Sequence, residues 1–520
     1  MAVLSTLYHR YSVVDNWDDW SHWAVQAKNI FYTGKFPCAA GNSISLYLDY
    51  FPGIQIWEAF YMKIGNLFSD ARLFVSYNMA IYIVFSGIIS SVKNKKQAFL
   101  LAVVLVFSRN LFMFHAITSV TMDLFLSALL GYGLWLICSR KYNTVELLMT
   151  VSMLSLSKQV GCLFALILLA ILFMELLIGW KRNNKSENLL YLKRLILCTF
   201  AEMAVVITWT MVKKLYGVTD TSSGMYKELL KTGIVNYINQ LEEWHMDGFK
   251  NFWICFFNYK IVPTDSNTVF YLTPWIKVPA IVYILGLIAF MIYLSKNLNY
   301  KIYVVNILLI LSGIAYALFL SSLYLLNFSV GEVGCLSSFR RYVGTYLLAV
   351  YFLEIGIFFT IDIKEGMSYN IIRCILIAVM LIIPNNTVSN FYYGLFSVSE
   401  QAHRREEYDA MQEKLYKAEE LLDAIPEDNS QIVLDNASIV AVSEWNYLCF
   451  PAKVRLWGSV GGLWDSDDYL IMDSDYRDFT QIEEFKPYFQ DGEPVDGGLY
   501  KIIRANDSYK FEQVDGFIWK

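Results

Sequence analysis

The sequence contains few charged residues and few of the side chains that bind metals or form disulfides. Lys, Arg, Asp and Glu make up 17% of the 520 residues, five residues are His, and 56% are hydrophobic. This composition, with a mean hydropathy of +0.40, excludes an ordinary soluble globular protein and indicates a polytopic membrane protein. The eight cysteines form no CxxC pair and accompany no His cluster. The sequence therefore indicates neither a disulfide framework nor a structural zinc site.

The charges that are present divide the chain into two parts. The whole sequence has 42 Lys and Arg residues and 47 Asp and Glu residues. The segment from Gln401 onward holds 12 basic and 25 acidic residues, which leaves 30 basic and 22 acidic residues before it. The tail is acidic and polar, whereas the body is basic and apolar. We expect a membrane-embedded helical body followed by a small soluble α/β domain.

Nine apolar stretches of the body are candidates for membrane-spanning helices, each of which needs about 20 residues. They are residues 73–92, 97–112, 123–138, 161–180, 195–216, 276–295, 302–327, 342–361 and 371–388. Lys and Arg residues occupy every second connection, and such basic loops stay in the cytoplasm. The other connections are then external, and they are residues 1–72, 109–122, 217–275, 328–341 and 389–520. The predicted domains are an extracytoplasmic first loop with interfacial helices (1–72), a transmembrane helical domain (73–388) and an extracytoplasmic soluble domain (389–520).

Residues 144–157 form an irregular segment within this arrangement. They lie between two basic connections and are too short to cross a membrane comfortably. The chain must therefore rise and turn at the sequence SKQVG, which contains Lys158, before the next span descends. A backbone turn at membrane depth is tolerated where it is buried in protein or lines a cavity.

An acidic and aromatic segment, VDNWDDWSHWAVQAKNIF, lies near the start of the chain. A helix over this segment places its carboxylates and His22 on one face and its tryptophans on another. The carboxylates are Asp15, Asp18 and Asp19. This pattern is typical of an interfacial helix that lies on the outer leaflet and is anchored by tryptophans. In a second interpretation, Asp15 caps the helix while the other two acids only favour its N-terminal end.

The external connections also hold nearly every other unusual polar residue of the body. These are Asp49 and Tyr50 in LDYFPG, Asp123 in TSVTMD, Lys158 at the predicted turn, and Arg340 and Arg341 in SSFRRY. Ionisable groups at a membrane boundary are costly, and they therefore mark functional sites. Their occurrence on one face of the membrane predicts an external site.

Six motifs, in this order, resemble those of the GT-C class of integral-membrane glycosyltransferases. They are DDWSHWAVQAKNIFYTGKFP, LDYFPG, SDAR, TMDLFL, LSLSKQVG and SFRRYVGTYLL. The likeness is to large bacterial members that are similar to protein O-mannosyltransferases and aminoarabinose transferases. The tail resembles the C-terminal module of those proteins in NYLCFPAKV, DSDDYLIMDSDY and GLYKIIRA. The resemblance implies a GT-C-like fold with about ten membrane helices.

The resemblance also implies an activity and residue roles. A hexose or pentose would pass, outside the bacterial cell membrane, from a polyprenyl-phosphate donor to a cell-surface glycan, lipid or protein. Asp18 matches the general base of an acidic pair that is usually Asp-Glu in the family, and Asp19 takes the place of the Glu. Asp123 matches a second acidic position. The residues that match donor-phosphate contacts are Lys158, Arg340 and Arg341.

The residue types suit this chemistry. Inverting displacement at an anomeric carbon needs a base for the acceptor and positive charge for the departing lipid phosphate. A carboxylate provides the first, and Lys or Arg provides the second. The external acids Asp18, Asp19 and Asp123 could instead hold a divalent cation such as Mg²⁺ or Mn²⁺. The sequence alone leaves both uses of these acids open, and it requires no cofactor.

Two other function classes fit parts of the pattern. A transporter or flippase of lipid-linked glycans would usually show internal repeats and polar residues in mid-membrane, whereas this sequence shows no repeat and has its acids at the external boundary. A glycan polymerase or ligase would share the external arginines but not the acidic pair. We therefore favour a glycosyltransferase. Because similar proteins place one span before the acidic loop, we also expect a further hydrophobic stretch of about 20 residues to be encoded upstream of Met1.

Overall fold

Helices form most of the chain in the computed structural model. The structure describes residues 2–39, 45, 47–112, 118–139, 143–180, 185–218, 241–258, 270–273, 276–296, 301–360, 387–425, 430–435, 439–457, 467–472, 486–489, 494–505 and 508–518. The described helices are α1 (Ala2–His9), α2 (Ala24–Thr33), α3 (Gly53–Ile64), α4 (Asp70–Ser90), α5 (Lys95–Phe107), α6 (Met122–Ser139), α7 (Thr144–Ser157), α8 (Gln159–Gly179), α9 (Lys185–Leu215), α10 (Glu243–Phe257), α11 (Ala280–Lys296), α12 (Lys301–Leu326), α13 (Val330–Cys335), α14 (Phe339–Thr360), α15 (Thr387–Phe396), α16 (Val398–Ala424) and α17 (Ile439–Leu448). The described strands are β1 (Phe270–Thr273), β2 (Ile276–Val278), β3 (Gln431–Asp435), β4 (Lys453–Trp457), β5 (Tyr469–Ile471), β6 (Gly498–Ala505) and β7 (Ser508–Ile518).

Six described helices are long and apolar enough to cross a membrane. They are α4, α6, α8, α9, the Val305–Leu326 part of α12, and α14. These helices confirm six of the nine predicted spans, and the chain is a mostly helical, multi-pass membrane protein. Helix α14 is the most enclosed of them, since 94% of its apolar window is buried by other parts of the protein. Helix α14 therefore lies in the interior of the helical body.

The other three predicted spans differ from the structure. The span predicted at 97–112 is too long, because α5 ends at Phe107 and a 3₁₀ turn follows at Arg109–Leu111. The Arg109 side chain donates a hydrogen bond to the carbonyl of Val106 (3.0 Å), which competes with continuation of the helix. The span predicted at 276–295 begins too early, since Ile276–Val278 form strand β2. The span predicted at 371–388 lies almost entirely outside the described residues.

The contacts within the chain define two units. The first unit comprises residues 1–5, 49–54 and 75–397 and contains most of the membrane helices. The second unit comprises residues 6–48, 55–74 and 398–520. Most of the predicted first loop and the predicted C-terminal domain therefore belong to the same unit.

A helical hairpin breaks the regular pattern of spans in the first unit. Helix α7 starts in a capping box formed by Asn143 and Glu146 and has 14 residues. Lys158 alone, in extended backbone (φ −165°, ψ 159°), separates α7 from α8. A Cβ atom on Gly161 would lie 1.8 Å from the carbonyl oxygen of Leu154, so the hairpin can close only around a glycine. The turn predicted at SKQVG is confirmed.

The C-terminal part of the second unit contains a five-stranded sheet of order β4-β3-β5-β6-β7. Strand β3 pairs in parallel with β4 and with β5, whereas β5–β6 and β6–β7 are antiparallel. The apolar runs QIVLD and YLI form strands β3 and β5. The apolar core on this sheet consists of Val433, Leu470, Met472, Phe489, Tyr500, Ile502 and Phe511.

The close approach at Gly161 gives a first prediction. The Gly161→Ala variant should lose about 1–3 kcal/mol of stability, since an added methyl group forces α7 and α8 apart. The measurement is the midpoint of thermal unfolding in detergent. The Gly286→Ala variant is the matched control, because a Cβ atom at Gly286 in α11 would meet nothing within 4 Å. An unfolding midpoint for Gly161→Ala equal to that of the control would contradict this description of the hairpin.

Candidate active site

Three helices of the first unit begin with an ionisable side chain. Asp123 lies in the first turn of α6, Lys158 immediately precedes α8, and Arg341 lies in the first turn of α14. The backbone N–H groups of a helix start are unpaired within the helix and carry a partial positive charge. These three starts are therefore suited to hold negative charge.

Two ion pairs join these side chains. The Lys158 Nζ atom lies 3.5 Å from Asp123 Oδ1, and the Arg341 Nε atom lies 3.2 Å from Asp123 Oδ2. The Asp123 side chain is 5% exposed, whereas those of Lys158 and Arg341 are 13% and 25% exposed. One buried carboxylate thus faces two more accessible cations. The structure therefore brings Lys158 and Arg341 together around Asp123.

Tyr342 packs against both cations of this cluster. The Lys158 Nζ atom lies 5.3 Å from the centre of the Tyr342 ring, and the Arg341 guanidinium carbon lies 5.2 Å from it. Arg341 also donates a weak hydrogen bond to the Tyr342 hydroxyl (3.4 Å). The Tyr342 backbone is fixed in turn, because its carbonyl accepts a hydrogen bond from the Tyr316 hydroxyl (3.1 Å). The aromatic ring stabilises both charges without neutralising them.

Arg340 has a different environment from Arg341. It is 3% exposed, its Nε atom donates to the carbonyl of Phe112 (3.3 Å), and its guanidinium carbon lies 5.7 Å from the centre of the Phe270 ring. A Cβ atom on Gly344 would lie 2.6 Å from that same Phe112 carbonyl oxygen, so the contact depends on the glycine. The two arginines thus have different contacts: Arg341 lies in the cluster with Asp123, whereas Arg340 contacts the Phe112 carbonyl and holds α14 in place.

Asp49 lies beside the first residue of α8. It is 1% exposed, and its Oδ2 atom accepts a hydrogen bond from the Gln159 side chain (3.5 Å). Its carbonyl accepts a hydrogen bond from the Trp209 indole (2.9 Å). Tyr50, the next candidate residue, is half-buried. Asp49 thus supports the turn that carries Lys158. The position of Tyr50 indicates no specific role.

The acidic segment near the chain start lies in the second unit. Asp15 is exposed and precedes the helix, Asp18 is half-buried, and Asp19 is fully buried. The backbone N–H of Asp18 donates to the side chain of Asn16 (3.0 Å). A π-helical turn then runs over Asp19–Trp23. The prediction that Asp15 shares a helical face with the other two acids is wrong, because the helix begins after Asp15 and its first turns are not regular α-helix.

Two of the three tryptophans of this segment, and His22, belong to the interior of the second unit. Trp20 and Trp23 are 9% and 2% exposed, and the Trp20 indole donates to the carbonyl of Val14 (2.9 Å). Their predicted role as membrane-interface anchors is therefore wrong. His22 is 5% exposed, shares a hydrogen bond with the Ser21 hydroxyl (2.7 Å), and contacts the Trp23 ring edge to face at 4.5 Å. His22 thus packs in the core of this unit.

Glu58 in α3 is a buried carboxyl that the sequence analysis missed. It is fully buried, and neither of its carboxyl oxygens has a hydrogen-bond partner among the described residues. Burial, and then the charge of Asp19, raise the pKa of Glu58 well above its usual value of 4.5. A signal was available, because Glu58 is the only acidic residue in the apolar sequence GIQIWEAFYMKI of α3.

The candidate residues do not fit a metal site that includes Asp123. Each carboxylate oxygen of Asp123 already faces a cationic side chain, and a metal ion there would be repelled by Lys158 and Arg341. Within the described ranges, no group of three or more His, Cys, Asp or Glu side chains could hold a metal ion.

The raised pKa of Glu58 gives a second prediction. The folded protein keeps a proton that the unfolded chain loses above pH 4.5, so stability falls as the pH rises from 4.5 toward the raised pKa. The Glu58→Gln variant has the same shape but cannot ionise. We expect its thermal-unfolding midpoint to exceed that of the wild type at about pH 7.5 and to equal it near about pH 4. The Glu406→Gln variant, at an exposed position in α16, is the control, and the same result in both variants would contradict the assignment.

The chain was compared with protein families, curated proteins and solved structures. Neither models of protein families nor curated protein sequences give a match. Among solved structures, the chain is similar to the archaeal oligosaccharyltransferase AglB from Archaeoglobus fulgidus, in complex with an inhibitory peptide and a dolichol-phosphate. That match has 11% identity, a TM-score of 0.43, and coverage of 99% of this chain and 74% of the other.

A second similar structure is that of ArnT from Cupriavidus metallidurans in the apo state. That match has 9% identity, a TM-score of 0.45, and coverage of 88% of this chain and 84% of the other. Identities this low do not transfer a substrate or a residue role, so function is argued below from the geometry.

Proposed function

We propose that this chain is a membrane glycosyltransferase that moves a hexose or pentose from a polyprenyl-phosphate donor to an extracytoplasmic acceptor. The acceptor is a cell-surface glycan, a lipid or a protein, and the enzyme lies in a bacterial plasma membrane with its site and its C-terminal domain on the outer side. The observation that carries this proposal is the cluster of Asp123, Lys158 and Arg341 at three helix starts. Two cationic side chains at helix N-termini are suited to a phosphate group.

The cluster can take up the charge that develops when the sugar leaves the donor. As the bond between the anomeric carbon and the phosphate oxygen breaks, the electron pair stays on that oxygen. Lys158 and Arg341 are both cationic and share the Asp123 carboxylate. The N–H donors of the two cations stabilise the departing polyprenyl phosphate. Asp123 serves in this scheme as the counter-ion that positions both cations.

An apolar cavity in the same unit supports a lipid donor. It has a volume of about 590 Å³ and is lined by side chains of α10, α11, α12 and α14. On α14 the lining begins at Val343, two residues after Arg341, and continues to Glu354. At 1.5 Å per residue, this face of α14 is about 16 Å long. A cavity of this kind suits the isoprenoid chain of a donor whose phosphate lies at Arg341.

We assign the base to Asp18. The acceptor hydroxyl must lose its proton as its oxygen attacks the anomeric carbon, and a carboxylate can accept that proton. Asp18 is half-buried and can be reached by an acceptor, whereas Asp19 is fully buried. A single displacement of this type forms no covalent enzyme intermediate and inverts the anomeric configuration.

The experiment that tests the function is a transfer assay with purified protein in sealed liposomes that contain defined polyprenyl-phosphate monosaccharides. We expect release of free polyprenyl phosphate together with a glycosylated acceptor. Movement of intact donor across the membrane without cleavage would overturn the proposal and support a flippase.

The two adjacent arginines give a third prediction. The Arg341→Ala variant should bind the donor about 10- to 100-fold more weakly, because a charge-assisted hydrogen bond contributes about 1.5–3 kcal/mol. The Arg340→Ala variant is the matched control and should lose thermal stability while its folded fraction keeps normal donor affinity. The measurement is equilibrium binding of the donor in nanodiscs. Equal, small effects at both positions would instead indicate contacts with lipid headgroups.

The assignment of the base gives a fourth prediction. The Asp18→Asn variant should lose on the order of 10²-fold or more in turnover with donor binding unchanged, because it keeps its shape but cannot accept a proton. The Asp15→Asn variant is the control and should keep normal turnover. Normal turnover in the Asp18 variant combined with loss in the Asp15 variant would assign the base to Asp15.

A further inference from the structure

Lys28 is a buried cation in the second unit that the proposed chemistry does not use. It lies in α2, directly after the π-helical turn, and is 7% exposed. Its Nζ atom donates a hydrogen bond to the carbonyl of Tyr447 and lies 4.6 Å from the centre of the Tyr447 ring and 5.8 Å from that of Phe68. Burying a lysine is costly, so these contacts indicate a specific role.

Tyr447 extends this contact to a carboxylate. It belongs to α17 in the C-terminal part of the chain, and its hydroxyl donates to Asp70 Oδ1 (2.5 Å). The other carboxylate oxygen, Oδ2, accepts a hydrogen bond from the backbone N–H of Val14 (2.9 Å). Asp70 therefore connects the C-terminal part of the unit to the start of the acidic segment.

The path continues into the π-helical turn. Val14 is fully buried, and its carbonyl accepts the hydrogen bond of the Trp20 indole (2.9 Å). Trp20 follows Asp19 and lies two residues after Asp18. A continuous set of hydrogen bonds thus links Tyr447, Asp70, Val14 and Trp20, and each bond has one buried partner or more.

The π-helical turn needs such external support. A π-turn has a rarer and less stable hydrogen-bonding pattern than an α-helix, and it occurs mainly at functional sites. A catalytic carboxylate must also be held within about 0.5 Å of its working position. Contacts from outside the segment can meet both needs.

We propose that Tyr447, Asp70 and Lys28 are positioning residues that hold the 14–20 segment and thereby keep Asp18 in its working geometry. The C-terminal domain then helps to hold the residue that acts as the base, and it is not an independent module. This inference rests on the proposed function, because it assumes that Asp18 acts in the reaction.

The electrostatics of Lys28 agree with this role. Burial lowers the pKa of Lys28 to about 8, while the charges of Asp70, Cys449 and Glu419 act in the opposite direction. Burial also raises the pKa of Tyr447 well above its ordinary value, and the neighbouring Asp70 adds to this effect. Tyr447 therefore remains a hydrogen-bond donor to Asp70 throughout the neutral pH range.

The test is the Tyr447→Phe variant, which removes one hydroxyl and keeps the ring under Lys28. We expect faster backbone hydrogen exchange in residues 13–23 and a fall in kcat of about 10-fold or more with the donor KM unchanged. The matched control is Tyr500→Phe, which removes another buried hydroxyl from the same domain, one that accepts a hydrogen bond from the Val495 N–H (2.6 Å). It should lower thermal stability without changing exchange in residues 13–23 or kcat.

A second variant distinguishes positioning from general destabilisation. The Asp70→Asn variant and the Tyr447→Phe, Asp70→Asn double variant should show the same exchange in residues 13–23, because both break one path. Exchange in that segment equal to wild type in Tyr447→Phe would overturn the proposal. Hydrogen exchange can be measured without turnover. If the proposed glycosyl transfer is wrong, the wild-type protein shows no transfer activity, and this result is separate from the exchange result.

Discussion

One buried carboxylate held between two cations determines how the helical body can be arranged. Burying the Asp123 carboxylate without a cationic partner would cost several kcal/mol of folding free energy. Helix α6 can therefore begin at this buried position only if Lys158 and Arg341 lie next to Asp123. That requirement fixes where α8 and α14 start, because each provides its cation within its first turn or immediately before it. The same arrangement places two cationic side chains together at helix starts, where an incoming phosphate can bind.

Two glycines allow this arrangement to form. Without a side chain at Gly161, α7 and α8 can meet closely enough to place Lys158 at a one-residue turn. Without one at Gly344, the carbonyl of Phe112 can reach Arg340 and fix α14. Arg340 and Arg341 therefore do different work although they are neighbours: the first anchors a helix and the second faces the charged cluster. In the second unit, side chains likewise fix the backbone of the acidic segment. The Val14 N–H donates to Asp70, and the Val14 carbonyl accepts a hydrogen bond from the Trp20 indole.

The sequence predicted much of the body and part of the site. Apolar windows identified six spans correctly because the membrane imposes helix length and hydropathy, and the shortness of residues 144–157 predicted the turn at Lys158. Asp123, Lys158 and Arg341 were identified because charged groups are rare at a membrane boundary. The choice between Arg340 and Arg341 was not predictable, since it depends on how α14 is rotated against α6. Neither was the contact between Lys28 and Tyr447, which are 419 residues apart, nor the π-helical turn, whose pattern has no sequence period that distinguishes it from an α-helix.

The most direct test of the central claim is a cryo-electron microscopy structure of the protein in nanodiscs with polyprenyl phosphate bound. We expect density for the phosphate within hydrogen-bonding distance of Lys158 Nζ and the Arg341 guanidinium, with the isoprenoid chain running along the Val343–Glu354 face of α14. Phosphate density at Arg340, or at a place where neither Lys158 nor Arg341 contacts it, would contradict the account.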